Sequence, residues 1–323
     1  MKVVSLFDGI SCGRVALERA ELPVSRYVAF EIDANAINCS KWNWPDIEHR
    51  GTVVGADFSE FAGYDLVMGG FPCTDLSRAK RNRKGLKGEH SSLFWELARA
   101  IREIKPRYFL VENNYGMPKA DEAIITETLG VAPILIDSAL VSAQRRKRLY
   151  WTNIPGVEQP EDRGIHLASV LEAQVPKKYY HTSRAIAYLS RARVNRRYIK
   201  NPTSQKSHCV TARYDRVPYN VLAVTNTMYQ RPRGYCKGRV CAEKAPAVTS
   251  SSYERNHDIV SAAVNGEYTL RKITPVECER LQTLPDGYTE MLCDTQRYKT
   301  LGNGWNVDTV AHILNYINVD MLL

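Results

Sequence analysis

None of the eight cysteines stands in a Cys-x-x-Cys pair, and their spacing forms no regular framework. That excludes a zinc finger and a secreted disulfide scaffold, and it fits free thiols in a reducing compartment. No apolar run approaches the roughly 18 residues of a membrane span, so no membrane partner is expected. The opening stretch MKVVSLFDGI has a hydrophobic run too short for a signal-peptide core and passes straight into an acidic turn. A cytoplasmic protein is the expectation. Internal repeats and low-complexity tracts are absent as well, and coiled coils are excluded.

What is present is an ordinary globular balance: 323 residues, 44% hydrophobic and 24% charged. The length exceeds what one compact core usually needs, so one domain with an insertion, or two domains, is expected. Lys and Arg number 44 against 35 Asp and Glu, a net +9. The surplus is unevenly placed. Residues 1–150 carry 21 cations and 19 anions, residues 151–270 carry 18 and 9, and residues 271–323 carry 5 and 7. The middle stretch thus accounts for the whole excess, and a polyanion is its natural partner.

Short apolar runs rich in β-branched and aromatic residues occur at 3–7, 27–32, 52–54, 65–68, 108–111, 133–136 and 149–152. Helix-like stretches lie between them, at 13–19, 34–42 and 93–103 among others. This alternation predicts an α/β fold with a doubly wound, mostly parallel sheet. The pattern breaks after Ile154-Pro155-Gly156. From there to about residue 268 the chain is rich in Arg, Lys, Tyr, Ser and Thr, with ten of the 18 tyrosines, and reads as a small module of irregular or β-rich structure. Helical pattern returns at Thr274, an N-cap ahead of Pro275, and a final amphipathic helix is expected over 307–317.

Four constellations carry chemistry. Phe7-Asp8-Gly9-Ile10-Ser11-Cys12-Gly13 follows a strand and precedes a helix, where glycines permit a tight turn beside a ligand. Glu31 comes 22 residues after Gly9, at the end of the next strand, a spacing that suits a carboxylate accepting from both hydroxyls of a ribose. No full Gly-x-Gly-x-x-Gly is present, so a mononucleoside cofactor is preferred to a dinucleotide. By itself the turn also reads as a plain strand-to-helix connection.

Gly69-Gly70-Phe71-Pro72-Cys73 closes another strand and puts a thiol at the carboxyl edge, where open α/β sheets bind ligands. A lone Cys is commonly an inert core residue; the flanking glycines and proline argue for a loop and a nucleophile, which nearby cations or a helix dipole would activate. Val111-Glu112-Asn113-Asn114 ends a strand at the same edge. It is read either as a heterocycle-binding pair, the acid donating to a ring nitrogen, or as a solvated strand end. In Gln144-Arg145-Arg146-Lys147-Arg148, strand alternation sends Arg146 and Arg148 to one side and Arg145 and Lys147 to the other. One pair can point into a site while the other stays in water.

In this order, these elements resemble the cytosine-5 DNA methyltransferases. Phe7–Gly13 is similar to that family's first motif, Gly70-Phe71-Pro72-Cys73 to its nucleophile loop, Glu112-Asn113 to its Glu-Asn-Val element and Gln144-x-Arg146-x-Arg148 to its Gln-x-Arg-x-Arg element. RKITPVECERLQTLPDGYT, over 271–289, resembles the late motif that buttresses the recognition region. YKTLGNGWNV, over 298–307, resembles the last motif, which returns to complete the cofactor pocket. Phe71-Pro72-Cys73-x-Asp75-Leu76-Ser77 and Trp305 resemble the eukaryotic de novo enzymes, while the compact length fits a bacterial or phage enzyme. Departures from the family's usual residues are Ser11 for a glycine, Ile32 for an aromatic, Thr74 for Gln, Asn114 for Val and Gly304 for Ser. None removes a chemical role.

The resemblance implies a Rossmann-like S-adenosylmethionine-dependent methyltransferase fold. It divides the chain into a catalytic and cofactor-binding domain at 1–154, a basic target-recognition domain at 155–270 and a segment at 271–323 that returns to the first. It implies methyl transfer from S-adenosyl-L-methionine to carbon 5 of cytosine in double-stranded DNA, with S-adenosyl-L-homocysteine as product and no metal. Cys73 would attack carbon 6, Glu112 would quench charge at N3, and Arg146 and Arg148 would hold O2 and the thiolate. The cofactor would meet Phe7, Asp8, Gly9, Ser11, Glu31, Ile32, Gly70, Asn303 and Gly304. Asp57 would contact the adenine amino group, Phe58 would pack on the adenine ring, and Leu93 would line the methionine side.

A base inside a duplex must be flipped out to reach such a pocket. Arg78, Lys80, Arg81, Arg83, Lys84 and Lys87 read as a loop that closes over DNA phosphates, the alternative being a solvated basic loop. Arg231 and Arg233, in Arg231-Pro232-Arg233-Gly234-Tyr235, are the candidates for a groove-contacting loop. A monomer is expected, and a cognate restriction endonuclease is compatible with the resemblance. Two rivals share the motifs: a tRNA cytosine-5 methyltransferase, and an inactive DNA-binding homologue, which loss of Cys73 or Glu112 would mark.

Overall fold

A computed structural model describes residues 1–76, 83–180, 227–230, 239–241, 245–246, 257–264 and 267–318. The first half alternates as expected: β1 (Lys2–Leu6), α1 (Cys12–Arg19), β2 (Arg26–Phe30), α2 (Ala34–Asn43), β3 (Glu48–His49), β4 (Leu66–Gly69), α3 (Phe94–Ile104), β5 (Tyr108–Asn114), α4 (Lys119–Leu129), β6 (Ile134–Asp137), β7 (Gln144–Arg145) and β8 (Lys147–Thr152). Later come β9 (Thr227–Gln230), β10 (Arg239–Cys241), β11 (Ala245–Pro246), β12 (His257–Val264), β13 (Glu267–Lys272), α5 (Pro275–Leu281), α6 (Asp294–Asn303) and α7 (Val307–Leu314).

Seven strands form one sheet in the order β3-β2-β1-β4-β5-β8-β6. The strands β3, β2, β1, β4 and β5 pair in parallel, while β8 is antiparallel to both β5 and β6. The chain leaves β1 toward β2 and later returns to its other side as β4. That reversal opens a crevice at the carboxyl ends of the strands. Both faces are covered, so the central strands are apolar on both sides. Val3, Leu66 and Leu110 face a core shared with Ala16, Leu17 and Val310, whereas their neighbours Val4, Val67 and Phe109 face Phe94, Leu97 and Trp151.

The helix ends follow local chemistry. Asp33 caps α2 by accepting from Asn35 N at 2.9 Å, and Asn306 caps α7 by accepting from Thr309 N at 3.1 Å. Thr274 and Glu277 form a reciprocal capping box on α5 with Pro275 in the first turn. Two strand expectations change. Residues 52–54 are a loop, because Gly51 and Gly55 bracket them with φ of +73° and +72°, and the edge strand is Glu48–His49 instead. β5 runs on through Glu112 to Asn114, since Asn113 and Asn114 stay in register with Leu149 and Arg148. The last helix stops at Leu314 rather than at 317.

A second sheet, order β10-β9-β12-β13, is antiparallel throughout and lies within 227–272. Separately, β11 pairs in parallel with β7, joining the middle of the chain to Gln144 and Arg145. Residues 155–180 run back over the large sheet's unit: Gln159 donates to Leu135 O at 2.8 Å, Arg163 pairs with Asp308 at 2.8 Å, and Lys178 pairs with Asp294 at 2.7 Å. No helix among the described residues is long and apolar enough to cross a membrane.

Candidate active site

The crevice is a cavity of about 500 Å³ that gathers residues from the ends of β1, β2, β4, β5 and β8 and from the turn between α6 and α7. The β1 turn is unusual in its backbone. Phe7, Gly9 and Ser11 all adopt left-handed φ, at 57°, 61° and 60°. Two of them carry side chains, which costs roughly 1 kcal/mol or more each unless neighbours hold the conformation. They do: Asp8 N donates to Phe30 O at 3.1 Å, Gly9 N to Glu31 Oε2 at 2.8 Å, and Ser11 Oγ to Asp8 Oδ2. Tyr27 adds a hydrogen bond to Asp8 Oδ1 at 2.6 Å. Burial outweighs these bonds and pushes the Asp8 carboxyl up to about 6.

Glu31 lines the cavity, but its carboxylate is already engaged. Oε1 accepts from Ile32 N at 2.7 Å and Asp33 N at 2.8 Å, and Oε2 accepts from Gly9 N. With about two acceptor positions per oxygen, Glu31 can take one further hydrogen bond through Oε2, not the pair expected from its spacing. Ile32 and Val54, 75% and 57% exposed, stand at the rim as bare apolar surfaces. Leu93, Asn303 and Gly304 also line the cavity.

Asp57 and Phe58 do not line it. The Phe58 ring is fully buried, edge-on to Phe30 at 5.5 Å and under the Arg99 guanidinium at 4.5 Å. The ring therefore cannot pack on an adenine, because it is a core side chain. The Asp57 carboxylate turns to Ser59, accepting from its N at 3.0 Å and Oγ at 2.6 Å.

Cys73 is exposed to the cavity, and the loop around it is fastened on both sides. Ser91 donates to Pro72 O at 3.0 Å, and buried Asp75 accepts from His90 N at 3.2 Å. At Gly70, an added Cβ would lie 2.8 Å from Trp305 Nε1 and 2.9 Å from Glu112 Oε2, so a side chain there would force one of them to shift. The surrounding walls push the Cys73 thiol up; Arg148 and Arg146 pull it down and Glu112 opposes them.

Glu112 is buried and held at both oxygens, by Arg148 Nε on Oε1 at 2.8 Å and by Trp305 Nε1 on Oε2 at 3.2 Å. Asn113 donates to Phe71 O at 3.0 Å and ties this strand to the cysteine loop. Asn114 accepts from Arg148 at 3.3 Å, which gives that departure a partner. Arg146 and Arg148 do face inward while Arg145 and Lys147 are exposed. Burial, then Arg148, lowers Arg146 to about 10, which leaves it a cation at neutral pH.

Sequence reasoning read Asn113 and Trp305 only through the motifs that contain them, and it did not single out Gln282. Their signal was position alone: each lies inside a motif stretch, and the partners that show its role lie elsewhere in the chain. Of the expected phosphate contacts, Arg83, Lys84 and Lys87 are exposed. Arg78, Lys80, Arg81, Arg231 and Arg233 lie outside the described residues. Among the described residues no three His, Cys, Asp or Glu side chains are grouped to hold a metal ion.

The sequence profile of the C-5 cytosine-specific DNA methylases matches residues 1–318. The chain belongs to the C-5 cytosine-specific DNA methylase family. It is thus a methyltransferase of the DNA cytosine-5 class with a mixed-sheet α/β fold. The Type II methyltransferase M1.ScrFI of Lactococcus lactis subsp. cremoris is 27% identical over 97% of this chain and 76% of its own length. M.HpaII of Haemophilus parainfluenzae is 26% identical, covering 95% of this chain and 86% of its own. Among solved structures, the S. pombe Dnmt2 methyltransferase superposes with a TM-score of 0.64 at 15% identity, covering 97% of each chain. A putative DNA modification methyltransferase from an Escherichia coli prophage gives 0.62 at 16%, covering 98% of each. These two structures share the methylase's fold.

Proposed function

We propose that this chain transfers a methyl group from S-adenosylmethionine to carbon 5 of a cytosine flipped out of duplex DNA, through a covalent intermediate on Cys73. The observation that carries the reading is the convergence of Cys73, Glu112, Arg146 and Arg148 on one cavity whose far end is walled by Phe7, Gly9, Glu31 and Ile32.

The cavity fits the cofactor. The Phe7 ring and exposed Ile32 and Val54 offer apolar faces to a purine, Glu31 Oε2 keeps an acceptor for a ribose hydroxyl, and an added Cβ at Gly9 would meet nothing within 4 Å. Leu93, Asn303 and Gly304 would bound the methionine end. When bound, S-adenosylmethionine supplies an electrophilic methyl and leaves as S-adenosylhomocysteine. The chain supplies the activation of the ring. The Cys73 thiolate forms a bond to carbon 6, the displaced electron pair moves toward N3, and a proton shared with Glu112 quenches charge there. Arg146 and Arg148 stabilise the thiolate and the cytosine O2. Once carbon 5 is methylated its proton passes to a base or water, and the carbon 6–sulfur bond breaks to restore the double bond and the thiolate.

The basic residues at 155–270 and the exposed Arg83, Lys84 and Lys87 would hold the duplex through its phosphates. The Type II relatives support a restriction-modification role, with any cognate endonuclease a separate chain. The test is a duplex in which 5-fluorocytosine replaces cytosine. Lacking a removable proton at carbon 5, it should trap a covalent protein–DNA adduct with the wild type and none with Cys73→Ala. Full methylation by Cys73→Ala, or no adduct with the wild type, would overturn the mechanism.

A further inference from the structure

Two successive residues of the returning segment touch the two buried members of the site. The Gly304 carbonyl accepts from Arg146 Nη2 at 2.9 Å, and the Trp305 indole donates to Glu112 Oε2 at 3.2 Å. An indole N–H can only donate. The carboxylate therefore meets a donor on each side, Arg148 on Oε1 and Trp305 on Oε2, and its plane is set by both. Gly70 closes the third side, since any side chain there would intrude on both Nε1 and Oε2. Two and three positions before Trp305, Asn303 and Gly302 line the same cavity.

Resting on the methyl-transfer reading above, we propose that Trp305 is a positioning residue for catalysis: its indole N–H fixes the orientation in which Glu112 meets the cytosine ring. A ring that merely walls the cofactor would be replaced by phenylalanine without loss of turnover. A donor that aims the carboxylate would not.

The experiment uses the full chain, unmethylated bacteriophage DNA and tritiated S-adenosylmethionine, comparing wild type with Trp305→Phe. Turnover should fall about tenfold, as for loss of a hydrogen bond to a charged group. The KM for S-adenosylmethionine should stay within about twofold of wild type. Release of tritium from 5-tritiated cytosine without cofactor, which reports attack at carbon 6 followed by proton exchange at carbon 5 with no methyl transfer, should fall by the same factor as turnover. Wild-type turnover in the variant overturns the proposal, and so does a loss confined to KM. Should Trp305→Phe fail to fold by circular dichroism, Gly70→Ala, which crowds the Nε1–Oε2 contact, should show the same fall in turnover; full turnover in it overturns the proposal equally. A wild type that neither methylates nor exchanges tritium refutes the methyl-transfer reading instead.

Discussion

Gln144 donates from Nε2 to Gln282 Oε1 at 3.0 Å, joining two buried side chains 138 residues apart. Gln282 in turn donates to Leu301 O at 2.6 Å and Gly304 O at 3.2 Å, and Gly304 O also accepts from Arg146. The arginine that faces the cavity is thus braced by a backbone carbonyl, which a glutamine holds in place from behind. The C-terminal segment contributes the back wall of the site.

Replacing Gln282 with Leu roughly keeps the volume and removes its side-chain bonds to Gln144, Leu301 O and Gly304 O, leaving Gly304 O with Arg146 alone. Gln144 and two carbonyls lose a buried partner, which should cost about 2–4 kcal/mol of stability. Thermal melting checks this, and turnover should fall as Arg146 loses its fixed support. A melting temperature equal to wild type would show that water or repacking satisfies those groups.

The large sheet was legible because its strands are apolar on both faces and end in glycine or polar turns. Glu31, Cys73, Glu112 and the inward pair Arg146 and Arg148 were legible for the same reason: strand ends and alternation fix where they point. Phe58 was misread because an aromatic beside a motif looks the same in sequence whether it faces a ligand or Phe30. The 52–54 loop was misread because three β-branched residues, Thr52, Val53 and Val54, outweighed the glycines around them. The braces on Glu112 and Arg146 were invisible, since they depend on residues more than 150 positions away meeting in space.

The Cys73 thiol is raised by burial and held down by Arg148, then Arg146. Only the thiolate attacks, so alkylation by iodoacetamide should accelerate as pH rises above neutrality. Arg148→Ala removes the largest lowering influence. The alkylation midpoint should move further alkaline, and reaction at pH 7.5 should slow severalfold. An unchanged profile would mean that Arg148 does not act on the thiol.

Burial, opposed by hydrogen bonds from Ser11, Ser5 and Tyr27, puts Asp8 at about 6 in the folded protein, against about 3.9 when unfolded. The native state then holds this proton more tightly. The stabilising contribution is full below about pH 4 and is lost as pH rises through about 6. Asp8→Asn cannot ionise, so the stability difference, variant minus wild type, should grow from pH 4 to pH 7 by up to about 3 kcal/mol. Urea unfolding at both pH values measures it, and a difference that does not change with pH would exclude a raised Asp8.

The net +9 resides in residues 151–270, whereas 1–150 and 271–323 are near neutral at +2 and −2. If that stretch lies on duplex DNA, each phosphate it neutralises releases a counterion. The slope of log affinity against log salt should then be about −0.9 per contact. Binding measured by fluorescence anisotropy between 50 and 200 mM salt should weaken by roughly 10³-fold or more if six or more phosphates are engaged. Charge-reversing pairs such as Arg196→Glu with Arg197→Glu should flatten that slope while leaving S-adenosylhomocysteine binding unchanged, because the cofactor cavity is built from other parts of the chain. Affinity that is flat in salt, or a slope indifferent to those substitutions, would place the DNA contacts elsewhere.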